Sequence, residues 1–509
     1  MTATRLASFA WIFFLLLGAS AASATTYLSI SDGDLSDQAA VVSRVKIVSV
    51  EPGPVSGMPS TDYLVEVEEV MKGDLPGSTV VVRVPGGVRA DGLGLKIWGA
   101  PEFQPGDQAL LFLEHGPDGN LRILHLMLGA FHAQRSGKAV MAVRDLSEAH
   151  RLQRTEGTEP EEPGVRDLER FTAWIADRAA GLRRAADYWR AAPAEAPSKP
   201  YEKYTEINAT DGVPIRWFKF DSGGSASWRM DPGGQPGLGP EQSVARLQAA
   251  LAAWSNDPTS TIRYNYSGST TAKGGLHTPD GVNAVIFNDP GNDIPGTLQC
   301  GTGGLLGLGG PFYYTDTRSY RGKSYHEAVE GNVVINDGAE CYFANNPSGL
   351  EEVFAHELGH SLGFGHSLDD QAVMRATAHN DGRGARLSDD DRLAASVVYG
   401  DGSFRPATPP PPPPPPPPAS APLKLTATPA SRTQIQIRWA NMPEETMALR
   451  IECQQKGTFM PLGTVSPEPT GTLVGGFKAN TTYSLRLTAI DSAGKTMGLS
   501  NVVKVRTRK

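Results

Sequence analysis

Cysteine is scarce in this chain. Its 509 residues include only 3, Cys300, Cys341 and Cys453, which excludes a scaffold built on disulfides. None falls between residues 25 and 200, so no thiol in that stretch can serve as a metal ligand. Basic clusters are missing too, and the formal charge of -8 is mild for the length; both argue against a nucleic-acid partner. Long apolar runs are absent after the first 18 residues. The early run, LASFAWIFFLLLG, is too short for a good membrane span. With Arg5 before it and Ala22, Ser23 and Ala24 after it, it reads as a signal peptide over 1–24, cleaved near Ala24. No cysteine follows it to carry a lipid anchor. The expectation is a secreted chain, extracellular or periplasmic, that begins at Thr25 and has no transmembrane segment.

Glycine and proline are plentiful, 56 and 40 residues, and they divide the rest into a multidomain chain. Residues 25–150 form a β-rich, all-β N-terminal domain. Its runs VVSRVKIVSV, DYLVEVEEV, STVVVRVPGG and ALLFLEH are short, β-branched and separated by turn residues, as in one small barrel or sandwich. Its His115, His125 and His132 lack ligand-like spacing. Residues 151–200 hold a helix, with Leu168, Phe171, Ile175, Leu182 and Trp189 near one face, and then a Pro/Ala linker. Residues 201–402 mix strands (VPIRWFKF, STIRYNYSG, NAVIFND, NVVIND) with helices over GPEQSVARLQAALAAWSND and LSDDDRLAASVVYG, the last capped by Ser388. Residues 403–420 are a polyproline linker, a stiff spacer of roughly 30 Å. Residues 421–509 alternate as short strands with Trp439 on an early one and Cys453 as a small buried hydrophobe. TTYSLRLTAIDSAGKTMGLSN within this segment resembles the late strands of a fibronectin type III domain, a β-sandwich. That resemblance implies a binding or spacing role, with an extracellular protein or a polysaccharide as ligand.

The chemistry concentrates in SGLEEVFAHELGHSLGFGHSLDDQAVM, residues 348–374. Ser348 and Glu351 have the spacing of a capping box, which predicts a helix from about Gly349. His356 and His360 are four apart and so lie on one helical face, where two imidazoles can share one metal ion. Glu357 is placed to act as general base. Catalytic zinc usually takes three protein ligands, and a helix-end turn at Gly363 returns the chain so that His366 can supply the third. Five fixed residues in this order should arise by chance in such a chain with a probability on the order of 10⁻⁵. His277, His326 and His379 stand apart from the pattern and read as structural.

His356-Glu357-x-x-His360-x-x-Gly363-x-x-His366 resembles the metzincin zinc signature, in its matrixin form through Ser367. Met374 stands where that family has its structural Met-turn. The resemblance covers residues 201–402 and implies an α+β catalytic domain, a twisted sheet plus helices, with a cleft whose rim strand pairs with extended substrate; GLGGPFYYTD is the candidate rim. It implies a zinc-dependent metalloendopeptidase acting on proteins or peptides through a zinc-activated water, with Glu357 as general base and one Zn2+ held by the three histidines. Calcium enters by resemblance only, with no ligand set assigned. Cys300 and Cys341, both just before the histidine cluster, are a candidate disulfide. The competing class is a catalytically silent binding or adhesion protein on a metalloprotease fold. Animal matrixins are kept latent by a propeptide cysteine, which residues 25–200 lack. If this region inhibits, it must do so by sterics or through another ligand such as a carboxylate.

Overall fold

The computed structural model describes residues 25–137, 139–146, 148–153, 164–191, 204–273, 275–405, 422–443, 446–455, 457–491 and 495–509. The signal-peptide reading of 1–24, the Pro/Ala linker and the polyproline run lie outside them. The chain divides into two compact units, one through Pro406 and one from Ala407 onward.

The first unit contains two sheets. One is a nine-stranded sheet from the N-terminal region. Its strand Gln108–His115 pairs with both Val41–Pro52 and Leu121–Ile123, so the strands between 41 and 123 close into a small barrel around Val45, Val65, Val82 and Leu111. The other sheet runs in the order His150–Leu152, Thr25–Leu28, Gly304–Tyr320, Lys323–Ile335, Asn283–Phe287, Ala226–Met230 and Tyr264–Ser269. Its last four strands are mutually parallel, whereas Gly304–Tyr320 is antiparallel to its neighbours. Helices Pro240–Ser255 and Pro347–Ser361 pack into a core with this sheet through Leu247, Leu251, Trp254, Val353 and Leu358.

Four short N-terminal strands thus belong to the second sheet or its fringe: Thr25–Leu28, Gly87–Val88, Leu93–Leu95 and His150–Leu152. A single apolar cluster also joins Leu110, Phe131 and Phe171 of the N-terminal region to Leu305, Phe312 and Val334. The helix of this region is shorter than its apolar spacing suggests, Leu168–Ala179. Gly181, at φ +82°, takes the chain out of helical geometry, so Leu182 is exposed and Trp189 lies in a strand. VPIRWFKF keeps only Ile215–Arg216 as strand before a 3₁₀ turn over Lys219–Ser222.

Cys300 and Cys341 are disulfide-bonded across 41 residues that include the whole strand Gly304–Tyr320. Replacing both with Ser is expected to cost about 3–4 kcal/mol through the loop-closure entropy returned to the unfolded chain, read as a lower urea midpoint.

The second unit packs a three-stranded against a five-stranded sheet around Trp439, Leu449, Ile451, Leu485 and Leu487. Trp439 Nε1 donates to the Pro467 carbonyl at 3.0 Å, and Cys453 is buried in the same core. Trp439→Ala should cost this module about 3–5 kcal/mol. Calorimetry would show one transition lowered and the other unmoved.

Candidate active site

The helix Pro347–Ser361 carries His356, Glu357 and His360. It begins earlier than the expected capping box. Asn346 is the N-cap, its side-chain oxygen accepting from the Gly349 amide at 3.0 Å, and Pro347 fills the first helical position, where its missing N–H is no loss. Glu351 accepts instead from Arg246 and from the Ala385 amide. The helix is buried on almost every side. Trp254 Nε1 donates to the Ala355 carbonyl at 2.8 Å. Met374 and Trp254 press so closely on Gly359 that a Cβ there would collide with both.

After this helix, Gly363 adopts φ +91°, and a Cβ on it would run into the Ile215 carbonyl. Only glycine suits that turn. The turn brings the His366 ring within 5.0 Å of His356 and 5.4 Å of His360, centroid to centroid. The following segment is pinned by the last helix of the unit, Asp389–Tyr399. The buried Asp391 carboxylate accepts from the amides of Val373 (2.8 Å), Met374 (3.2 Å) and Ser388 (2.7 Å). Burial pushes its pKa up to about 6. The aspartates of LSDDDRL read in sequence as dipole partners, and nothing in their spacing points to Met374.

His356, His360 and His366 each offer a nitrogen within 4.8 Å of the others. Among the described residues they are the only group of three or more His, Cys, Asp or Glu side chains gathered so closely. Their hydrogen bonding shows that a cation fits. His356 Nδ1 lies 2.8 Å from the Val373 carbonyl and His360 Nδ1 lies 2.7 Å from the Phe364 carbonyl. A carbonyl only accepts, so each Nδ1 carries the hydrogen and each Nε2 presents a lone pair. Yet these Nε2 atoms are 2.7 Å apart, and His366 Nε2 is 3.2 Å from that of His356. Burial pushes His356 down to about 4, and burial followed by the neighbouring His356 and His366 lowers His360 well below its ordinary value, so protonation does not resolve the contact. Converging lone pairs on neutral imidazoles, with the N–H of His356 and of His360 fixed by carbonyls, suit a zinc ion.

Glu357 is fully buried beside them. Burial pushes its pKa up to about 7, against the opposing pull of the Thr26 hydroxyl. That hydroxyl donates to Glu357 Oε1 at 2.6 Å, and Oε2 has no hydrogen-bond partner among the described residues.

Three residues at this site escape sequence reasoning: Thr26, Trp98 and His150. His150 stacks on His356 with centroids 3.7 Å apart, and its Nδ1 is 3.4 Å from the Thr26 hydroxyl. Trp98 stacks on His360 at 5.7 Å. A lone threonine, tryptophan or histidine has no spacing to betray it. Four of the other six histidines pair with side chains outside this site: His277 with Asp293, His326 with Asp211, His379 with Glu352 and His125 with Gln38.

Comparison with known proteins finds two metalloproteinases among the relatives of this chain. Human matrilysin is 29% identical over 165 residues, which is 32% of this chain and 52% of matrilysin. Matrix metalloproteinase-2 of Drosophila melanogaster is 27% identical over 237 residues, 45% of this chain and 27% of that protein. The chain therefore spans about half the length of the first and about a quarter of the second. Among solved structures, the FN5 domain of Drosophila Lar is 26% identical and matches 17% of this chain and 92% of that one, with a TM-score of 0.15. Residues 298–400 match the matrixin family and residues 420–506 match the fibronectin type III domain. The chain thus carries a matrixin domain and, after it, a fibronectin type III domain.

Proposed function

We propose that the protein is a secreted zinc-dependent metalloendopeptidase that hydrolyses peptide bonds in proteins. The observation that carries this reading is the meeting of three imidazole nitrogens beside a fully buried carboxylate. His356, His360 and His366 would hold the zinc ion. Bound there, zinc would act as a Lewis acid toward the scissile carbonyl and lower the pKa of water toward neutrality. Glu357 is the general base: it takes the proton of the attacking water and passes it to the leaving amine.

The strand Gly304–Tyr320 supplies the edge to which an extended substrate adds by main-chain hydrogen bonds once that edge is free. Met374 and Gly363 have structural roles, one packing beneath the histidine helix and the other making the turn that delivers His366. The fibronectin type III module binds an extracellular protein or a polysaccharide.

The test is cleavage of a denatured protein by the chain from Thr25 and by the same chain starting at Ser29, each with and without a zinc chelator, with bound zinc counted. New peptide termini that vanish on chelation are expected from at least the shorter form. One bound zinc and no cleavage by either form would instead favour a silent binding protein on a metalloprotease fold.

A further inference from the structure

The rim strand is already taken. Thr25–Leu28 pairs antiparallel with it, Thr26 opposite Gly307 and Leu28 opposite Gly304. Further along, Leu93–Leu95 pairs with Phe312–Tyr314. On its other side Thr25–Leu28 pairs with His150–Leu152. That strand in turn reaches the opposite wall: the Arg151 amide donates to the Ala376 carbonyl at 2.8 Å and its carbonyl accepts from Ala378 at 2.9 Å. Two strands of the N-terminal region therefore fill the space between the rim and the segment after Met374. The fill is dry, since Thr25, Thr26, His150, His356, Glu357 and His360 are all 0% exposed.

We propose that Thr25–Leu28 is a lock in cis: a substrate-like strand that keeps the peptidase latent until it is displaced. It blocks in two ways. Its backbone uses the edge a substrate must pair with, and the Thr26 hydroxyl donates to Oε1 of Glu357, the proposed general base. His150 and Trp98, stacked on two of the metal-site histidines, close the same space from the sides. Among the described residues, latency uses a hydroxyl and a pair of strands, with no thiol or carboxylate of the N-terminal region against the three histidines. Because the strand is part of the same chain, its effective concentration at the cleft is on the order of mM, beyond what a substrate at micromolar levels can overcome. Tyr27 and Leu28 are buried in two different apolar clusters, which holds the strand in register. The shared apolar core makes wholesale departure of the N-terminal region costly, so release acts on this strand.

This inference rests on the peptidase reading, and its test separates the two. The zinc-loaded chain from Thr25, its Thr26→Gly variant and the chain from Ser29 are titrated with a peptidyl hydroxamate, a zinc-seeking probe that needs the open cleft but no catalysis. The chain from Ser29 should bind it roughly 100-fold more tightly than the chain from Thr25, as for a site open about 1% of the time. Thr26→Gly should fall between them, and a synthetic peptide of residues 25–30 should compete with the probe. Equal affinity in all three overturns the lock. If the shortened chain does not fold, Thr26→Gly decides alone, and affinity equal to that of the parent overturns the lock. Tighter probe binding without proteolysis would sink the peptidase reading and keep the lock; proteolysis at equal rates by the long and short forms would do the reverse.

Discussion

Glu357→Gln should leave one zinc bound per chain and slow cleavage by about 10²–10⁴-fold, the usual range for loss of a general acid–base group. The substitution preserves size. A neutral amide is no harder to bury than the carboxylate it replaces, so the fold should hold. Zinc affinity should hold as well, because the imidazole tautomers are set by the Val373 and Phe364 carbonyls and owe nothing to Glu357. What the amide cannot do is accept a proton. Measured in the chain from Ser29, kcat should fall while the melting temperature and zinc content stay put. If zinc content falls in step with activity, Glu357 is supporting the metal site and its assignment as base is wrong.

The parts of this site legible in sequence are those that one helix and one turn determine. Four-residue spacing puts His356 and His360 on one face whatever surrounds the helix, and Gly363 announces the turn that His366 needs. Asp391 shows the next level of difficulty. Its aspartate-rich context marks a helix start, which is correct, but its bonds to the amides of Val373 and Met374 depend on a fold-back that no local pattern encodes. Capping is ambiguous for a related reason: Asn346-Pro347 and Ser348 with Glu351 are both good helix starts, and the choice fell to the pull of Arg246 and Ala385 on Glu351. The lock is least legible. Thr26 and Glu357 are 331 residues apart, and a four-residue strand is too short to show a period. Short β-branched runs revealed an N-terminal β region, but alternation cannot say that some of its strands complete a neighbouring sheet.

The second large effect concerns the metal. Removing zinc should lower stability by about 4 kcal/mol when measured against a free concentration 1,000 times Kd, and His356→Ala should abolish both zinc binding and that increment. Without a cation, Nε2 atoms 2.7 Å and 3.2 Å apart must either separate or share a proton, and burial opposes the proton by holding His356 at about 4. Separation is resisted in turn, because two rings are tied to backbone carbonyls and His150 and Trp98 stack against them. His356 is the ligand to change, since it touches both other histidines and its loss leaves two nitrogens where catalytic zinc requires three. His326→Ala is the control: that ring is just as buried but pairs with Asp211, so zinc should still bind at one per chain. Zinc titration followed by melting gives both readings from one sample. Retention of one tightly bound zinc by His356→Ala would mean that the lone-pair cluster is not the metal site, and both the peptidase reading and the lock would then lose their foundation.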